Sequence, residues 1–106
     1  MKRTMVRYTV KLEQVARNEE LVRSVYDELH RTAPTGLRYA TFVQEDGVSF
    51  VHVASIETKD GQNPLTETAA FQAFVQDIAD RCDQPPVSVG LREVGSYSFW
   101  ADETDA

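Results

Sequence analysis

The sequence predicts an α+β fold of four strands and two helices. Four segments alternate apolar and polar residues with a period of two, which is typical of half-buried strands. Two other segments repeat apolar residues at spacings of three and four, which is typical of amphipathic helices. Their order is strand, helix, strand, strand, helix, strand. Two split βαβ units of this kind form a ferredoxin-like βαββαβ sandwich, a four-stranded antiparallel sheet with both helices on one face.

The first strand and the first helix follow one another directly. Residues 4–12 alternate, with Val6, Tyr8 and Val10 on one parity. Residues 14–32 then change to the helical period. The apolar stripe of this helix consists of Leu21, Val22, Val25, Tyr26 and Leu29. His30 and Arg31 suit the negative end of the helix dipole, and Pro34 and Gly36 end the helix.

Two strands, 37–44 and 48–57, flank Asp46-Gly47, a strong signal for a two-residue hairpin turn. With this turn, Glu45 pairs with Val48 and fixes the register. One face of the ribbon then holds the pairs Tyr39–Ala54, Thr41–His52 and Val43–Phe50, and the other holds Ala40–Val53 and Phe42–Val51.

The second half of the chain contains a loop, a helix and a strand. Residues 58–65 form the loop, and residues 66–82 form the helix. Its apolar stripe consists of Ala70, Phe71, Phe74, Val75 and Ile78. Pro85-Pro86 ends the helix, and residues 87–94 alternate as the fourth strand. Gly95 permits a bend, after which residues 96–100 can extend the strand.

Length and composition indicate a single domain. The 106 residues are 42% hydrophobic and 26% charged, which suits one globular domain and not a disordered chain. We expect this domain to span residues 1–100. Residues 101–106 carry Asp102, Glu103 and Asp105 and no basic side chain, so we expect an acidic, disordered tail.

Charge and cysteine content exclude several classes of partner and site. The net charge is −6, which argues against binding to nucleic acid or to acidic membrane surfaces. No apolar run approaches the ~20 residues of a transmembrane helix, and no secretory signal follows the basic first residues. Cys82 is the single cysteine, which rules out an intrachain disulfide. We therefore expect a cytoplasmic protein.

Both faces of the predicted ribbon are apolar, although two helices can cover only one of them. The face with Ala40, Phe42, Val51 and Val53 suits the helices. The other face then needs a second cover, and it holds Leu37, Tyr39, Val43, Phe50, Ala54 and Ile56. We expect a homodimer packed sheet to sheet about a two-fold axis. The aromatic end of the chain, Tyr97, Phe99 and Trp100, could cross to the partner. The alternative is a monomer with a solvated sheet.

The chain resembles the antibiotic biosynthesis monooxygenase-like members of the dimeric α+β barrel superfamily. The resemblance covers residues 4–100 as architecture and is most specific at residues 50–56 (FVHVASI) and 69–74 (AAFQAF). It implies a homodimeric α+β barrel and a cofactor-independent monooxygenase-like activity. Many members of the superfamily have no assigned activity, and this motif set resembles an uncharacterised branch.

Two positions depart from the pattern of that family. The family's helix histidine is replaced by Phe74, and its strand glutamate by Ala54. Relatives that degrade haem use the helix histidine as the iron ligand, and this chain has no histidine after His52. We therefore expect no cofactor. Two distant histidines without a cysteine pair also argue against a transition-metal site.

A candidate site follows from strand parity. If the apolar parity of the first strand faces the helices, Arg7 and Thr9 face a cavity between the two sheets of the dimer. Tyr39, Thr41, Phe50, His52 and Arg92 join them there under the same assumption. His52 could be a general base, and Tyr39 could donate to a developing oxyanion. Arg7 and Arg92 would favour an anionic ligand.

Each of these residues also has a structural interpretation. His52 can be a satisfied core histidine, Tyr39 and Phe50 can be dimer core, and the arginines can pair with Glu57 or Glu93. Two functions therefore stay open. The first is a cofactor-free monooxygenase-like enzyme acting on a small aromatic or acidic metabolite. The second is a non-catalytic module that binds a small ligand or serves a structural role.

Overall fold

The computed structural model describes residues 1–99 and confirms the α+β fold. Trp100 and the predicted acidic tail lie outside the described residues. The strands and helices are β1 (Lys2–Val10), α1 (Val15–Thr32), β2 (Leu37–Val43), β3 (Ser49–Ile56), α2 (Ala69–Val75), α3 (Ile78–Arg81) and β4 (Cys82–Leu91). Short 3₁₀ turns at Leu12–Gln14 and Pro64–Glu67 precede α1 and α2.

The four strands form one antiparallel sheet in the order β2-β3-β1-β4. The predicted hairpin register is confirmed, with Thr41 opposite His52 and Val43 opposite Phe50. Strand β1 lies on the other side of β3, where Val6 is opposite His52. His52 therefore lies at the middle of a three-strand row.

The turn of the β2–β3 hairpin differs from the prediction. The amide of Gly47 donates to the carbonyl of Gln44 at 2.9 Å, so Glu45 and Asp46 are the central turn residues. Gly47 follows them with a φ of 76°, a conformation that glycine adopts without strain. The Asp46 carboxylate accepts the amides of Val48 and Ser49, each at 2.9 Å. The register is kept because the longer loop closes the same strand pairs.

The predicted helix over residues 66–82 is broken into shorter pieces. Asp77 adopts a left-handed conformation with a φ of 60°, which separates α2 from α3. Cys82 already belongs to β4, so Pro85 and Pro86 lie inside a strand and do not end a helix. This is possible because β4 is an edge strand, where a missing N–H need not interrupt pairing. The β1–β4 register shifts beside the two prolines, between Arg7 and Thr9.

Two side chains fix the position of α2. The carboxylate of Glu28 on α1 accepts the amides of Ala69 and Ala70, at 3.3 and 2.9 Å. At the other end, the guanidinium of Arg81 donates to the carbonyls of Phe74 and Gln76, at 2.6 and 3.1 Å. Unpaired groups at both ends of the helix are thus satisfied by charged partners.

The structure reverses the predicted faces of the ribbon. The face with Tyr39, Phe50, His52 and Ala54 packs against the helices and not against a second sheet. The reason is the β1–β3 register, which places the apolar parity of β1 beside this face, with Tyr8 opposite Phe50. The core consists of Tyr8, Val10, Val25, Phe50, Leu65, Phe74 and Cys82.

The opposite side of the sheet, which we call the open face, carries Met5, Phe42, Val51, Val53, Val87, Val89 and Leu91 by register. Of these, Phe42, Val87, Val89 and Leu91 are exposed. Residues 92–99 do not extend β4 as a strand, and Tyr97 and Phe99 are exposed. Within residues 1–99, no helix is long and apolar enough to cross a membrane.

Candidate functional site

A cavity of about 290 Å³ lies between the sheet and α2. The sheet contributes Tyr8, Tyr39, His52 and Ala54, and the helical side contributes mainly phenylalanine and aliphatic side chains. The remaining lining residues are Thr4, Val6, Asn63, Leu65, Phe71, Phe74, Val75, Ile78 and Pro86. The cavity is at the small end of the ~300–1,000 Å³ range of ligand pockets, and it has their usual form of apolar walls with a few polar groups.

His52 is the polar centre of this cavity wall. Its imidazole is buried, and both ring nitrogens have hydrogen-bond partners. Nε2 lies 2.7 Å from the Tyr8 hydroxyl, and Nδ1 lies 2.5 Å from the Tyr39 hydroxyl and 3.1 Å from Thr41 Oγ1. The ring also packs against Phe74, at 5.3 Å between ring centroids.

The hydrogen bonds of His52 continue in two directions. On one side, Asn18 Nδ2 donates to the Tyr8 hydroxyl at 3.0 Å, and Arg81 Nε donates to Asn18 Oδ1 at 3.4 Å. On the other side, Thr41 Oγ1 lies 2.7 Å from the hydroxyl of Tyr26. The network thus joins three strands to α1 and α3, and no buried side-chain polar atom in residues 1–99 lacks a partner.

Burial keeps the ionisable groups of the cavity uncharged. Desolvation lowers the pKa of His52 from 6.5 to about 4, so its imidazole is neutral at pH 7. Desolvation also raises the pKa of the Tyr8 and Tyr39 phenols well above 10, because a buried phenolate is poorly solvated. The cavity therefore offers neutral hydrogen-bonding groups.

Four of the residues that strand parity was expected to bring together do lie at the cavity or directly beside it. Tyr39 and His52 line the cavity, Thr41 bonds to His52, and Phe50 stacks on Tyr8 behind it.

Arg7 and Thr9 lie on the open face, because Arg7 pairs with Val51 and Thr9 with Ser49. Arg92 lines a separate groove with Arg3 and Tyr97. The expectation that these arginines share one cavity with His52 is wrong, and its assumed orientation of the ribbon is the cause. Glu57 and Glu93, expected as partners of Arg7 or Arg92, instead lie within ion-pair distance of Arg3.

Three members of the network, Tyr8, Asn18 and Arg81, are not among the predicted site residues. Tyr8 shares the parity of Val6 and Val10 in the predicted first strand, a pattern that indicates burial and no particular role. Asn18 had a detectable signal, because it precedes Leu21, Val22 and Val25 at helical spacing and is therefore a polar residue in the apolar stripe. Arg81 had a similar signal, because it follows Phe74 by seven residues and Ile78 by three and therefore falls on the apolar stripe of the predicted helix. In the structure it is buried in α3, beyond the break at Asp77.

The two positions that the sequence resemblance indicates as departures both lie at this cavity. Ala54 and Phe74 face it from the sheet and from α2. A phenyl ring has no lone pair for iron, so the residues at this wall do not fit a haem ligated from α2. Within residues 1–99, no group of three or more His, Cys, Asp or Glu side chains could hold a metal ion.

Comparison with solved structures confirms the resemblance at the level of fold. An antibiotic biosynthesis monooxygenase is 21% identical with a TM-score of 0.72, covering 90% of this chain and 100% of its own. A candidate antibiotic biosynthesis monooxygenase from Nitrosomonas europaea is 22% identical with a TM-score of 0.73 and the same coverage. A conserved protein of unknown function from Bacteroides thetaiotaomicron, described as a possible oxidoreductase, is 15% identical with a TM-score of 0.64, covering 85% and 96%.

The likeness to these proteins is one of structure and is not seen in comparisons of sequence. No protein-family model matches the chain, and no curated protein matches it. The chain therefore has the fold of the antibiotic biosynthesis monooxygenase-like proteins.

Proposed function

We propose that the chain is a cofactor-independent monooxygenase-like enzyme that acts on a small, neutral aromatic molecule in the cavity between the sheet and α2. The observation that carries the proposal is the Tyr39–His52 pair on an otherwise apolar wall. The fold shared with proteins named as monooxygenases supports the reaction class. A neutral ligand replaces the acidic one expected from Arg7 and Arg92, because neither arginine lines this cavity.

The substrate class follows from atom balance. Without a cofactor, the substrate itself must supply the electrons that reduce O₂. An activated CH₂ group meets this need. Its carbon takes one oxygen atom of O₂ and becomes a C=O group, and the other oxygen atom leaves as water with the two hydrogens of the CH₂ group. In the first step this CH₂ group loses a proton to water, which places negative charge on a carbonyl oxygen that is conjugated with it.

Tyr39 is suited to stabilise that charge. A phenol with a raised pKa keeps its proton and donates a hydrogen bond to the developing oxyanion. His52 has too low a pKa to be a strong base, so its general-base role stays a prediction and the geometry favours positioning of Tyr39. The CH₂ group must then be acidic enough to lose its proton to water, as it is between two aromatic rings that conjugate it with a carbonyl.

The test is O₂ uptake with anthrone, which has such a CH₂ group, and with anthraquinone as the matched compound without it. We expect ¹⁸O from ¹⁸O₂ in the product above the protein-free rate. Tyr39→Phe should lower turnover, and so should Ala54→Leu, which adds bulk to the cavity wall. The control is Tyr97→Phe, which changes an exposed tyrosine outside the cavity. Equal turnover in all three variants would show that the reaction takes place elsewhere.

A second function is favoured by one observation, the complete pairing of buried polar atoms in residues 1–99. A site with no unsatisfied polar group can hold an apolar ligand without chemistry. The same compounds distinguish this binding module from an enzyme, because a binder would take up anthrone without consuming O₂.

We also propose that the chain forms a homodimer through the open face. The support is the apolar character of this face, where Phe42 is 56% and Val87 is 61% exposed in the single chain. A two-fold axis would pair the face with itself and remove it from water. The assembly is measured by native mass spectrometry, and a monomer at micromolar concentration would contradict it.

A further inference from the structure

The orientation of the Asn18 amide is fixed by its charged neighbour. Asn18 is fully buried between Arg81 and Tyr8. A guanidinium only donates hydrogen bonds, so the amide must present Oδ1 to Arg81 Nε, 3.4 Å away. Its Nδ2 then faces Tyr8 and donates to the hydroxyl oxygen at 3.0 Å.

The direction of the next hydrogen bond follows from this one. Within residues 1–99, the Tyr8 hydroxyl has two hydrogen-bond partners, Asn18 Nδ2 and His52 Nε2. Asn18 donates and cannot accept the Tyr8 proton at this nitrogen. Because a buried hydroxyl proton without an acceptor is costly, Tyr8 donates to Nε2 at 2.7 Å.

The tautomer of His52 and the role of Tyr39 are then determined. A neutral imidazole carries one N–H, so an accepting Nε2 places the proton on Nδ1. Nδ1–H donates to the Tyr39 oxygen at 2.5 Å or to Thr41 Oγ1 at 3.1 Å. The Tyr39 proton is therefore not used by His52. It can be donated to Thr41 or to an oxygen atom of a ligand in the cavity.

We propose that Asn18 and Arg81 are positioning residues that hold His52 in the Nδ1–H tautomer, so that Tyr39 donates a hydrogen bond to a carbonyl oxygen of the ligand. The opposite tautomer would take the Tyr39 proton at Nδ1 and leave the cavity without this donor. Arg81 thus selects ligands with an acceptor group without touching the cavity. The ligand part of this inference rests on the proposed function, whereas the tautomer part does not.

The test is the ¹⁵N–¹H long-range spectrum of the histidine rings in the ligand-free protein at pH 7. The chain has two histidines, and His30 is an exposed reference at the end of α1. We expect His52 to show a protonated Nδ1 and an unprotonated Nε2. A protonated Nε2 would overturn the proposal, and this spectrum needs no variant.

The variant Asn18→Asp tests whether Asn18 determines the tautomer of His52. A carboxylate facing Arg81 stays ionised and accepts the Tyr8 proton, so Tyr8 must accept from Nε2–H and the tautomer of His52 must invert. The matched control is Asn63→Asp, a cavity residue whose Oδ1 accepts the Leu65 amide, a bond that a carboxylate also makes. We expect inversion in Asn18→Asp and none in Asn63→Asp.

An unchanged tautomer in folded Asn18→Asp would refute the role of Asn18. Should this variant not fold, the wild-type spectrum still decides the tautomer. Because these spectra are recorded without ligand, an absence of O₂ uptake would count against the proposed enzyme and leave this inference standing.

Discussion

The Tyr39 hydroxyl lies 2.5 Å from Nδ1 of His52, and this pair joins the two strands of the β2–β3 hairpin at the cavity wall. Thr41 is the residue directly opposite His52, so Tyr39 reaches the imidazole diagonally, two residues along β2. The pair is neutral, because burial lowers the pKa of the histidine and raises that of the phenol.

The buried imidazole predicts a pH-dependent stability. The pKa of His52 is about 4 in the folded protein and about 6.5 when exposed, so the unfolded chain binds the proton first. The contribution of neutral His52 to the unfolding free energy is complete above pH 6.5 and is lost as the pH falls towards 4. We expect a loss of about 3 kcal/mol in unfolding free energy from this group.

Urea unfolding between pH 7 and pH 4 measures this effect. His52→Gln removes the titrating group. It should therefore reduce the loss of unfolding free energy between pH 7 and pH 4 by about 3 kcal/mol. His30→Gln, at the exposed end of α1, should leave the pH dependence as it is in the wild type. Equal slopes for the two variants would show that His52 is not held neutral by burial.

Tyr39→Phe should weaken binding of a carbonyl ligand in particular. One hydrogen bond contributes about 1 kcal/mol, so we expect a roughly fivefold to tenfold higher Kd for 1-tetralone. Tetralin has the same rings without the oxygen and should bind both proteins equally well. Titration calorimetry compares the two compounds, and an equal loss for both would indicate damage to the cavity and not the loss of a donor.

Val89→Asp should separate the proposed dimer. Val89 lies opposite Met5 on the open face, so a carboxylate there would be buried without a partner in a sheet-to-sheet dimer. Leu12→Asp is the matched control, because Leu12 is also apolar, is 79% exposed and lies outside the sheet. Light scattering should give a monomer for Val89→Asp and a dimer for Leu12→Asp. A dimer for both variants would exclude the open face as the dimer interface.

Glu28→Ala should destabilise the fold by freeing the first amides of α2. A carboxylate that accepts amides at a helix N-terminus contributes about 1 kcal/mol. Glu20→Ala, on the same helix, removes a mostly exposed carboxylate paired with Arg17 and should change the unfolding free energy by about 0.5 kcal/mol or less. Thermal unfolding compares the two, and equal shifts would argue against a capping role.

The order of the elements and the hairpin register are determined by the sequence itself. Period-two and period-3.6 patterns identify strands and helices from neighbouring residues, and the pairing of Thr41 with His52 needs only the position of the turn. The break at Asp77 and the prolines inside β4 are not accessible in this way. They depend on the place of β4 at the sheet edge, which is a property of the assembled sheet.

The candidate site shows the same division. The sequence identified Tyr39, Thr41 and His52 as neighbours on one face of a ribbon, because alternation in a hairpin is a local property. Only the tertiary structure decided which face meets the helices, since both faces are apolar and the β1–β3 register selects between them. That choice moved Arg7 and Thr9 to the open face and brought Tyr8, Asn18 and Arg81 to His52 from distant parts of the chain.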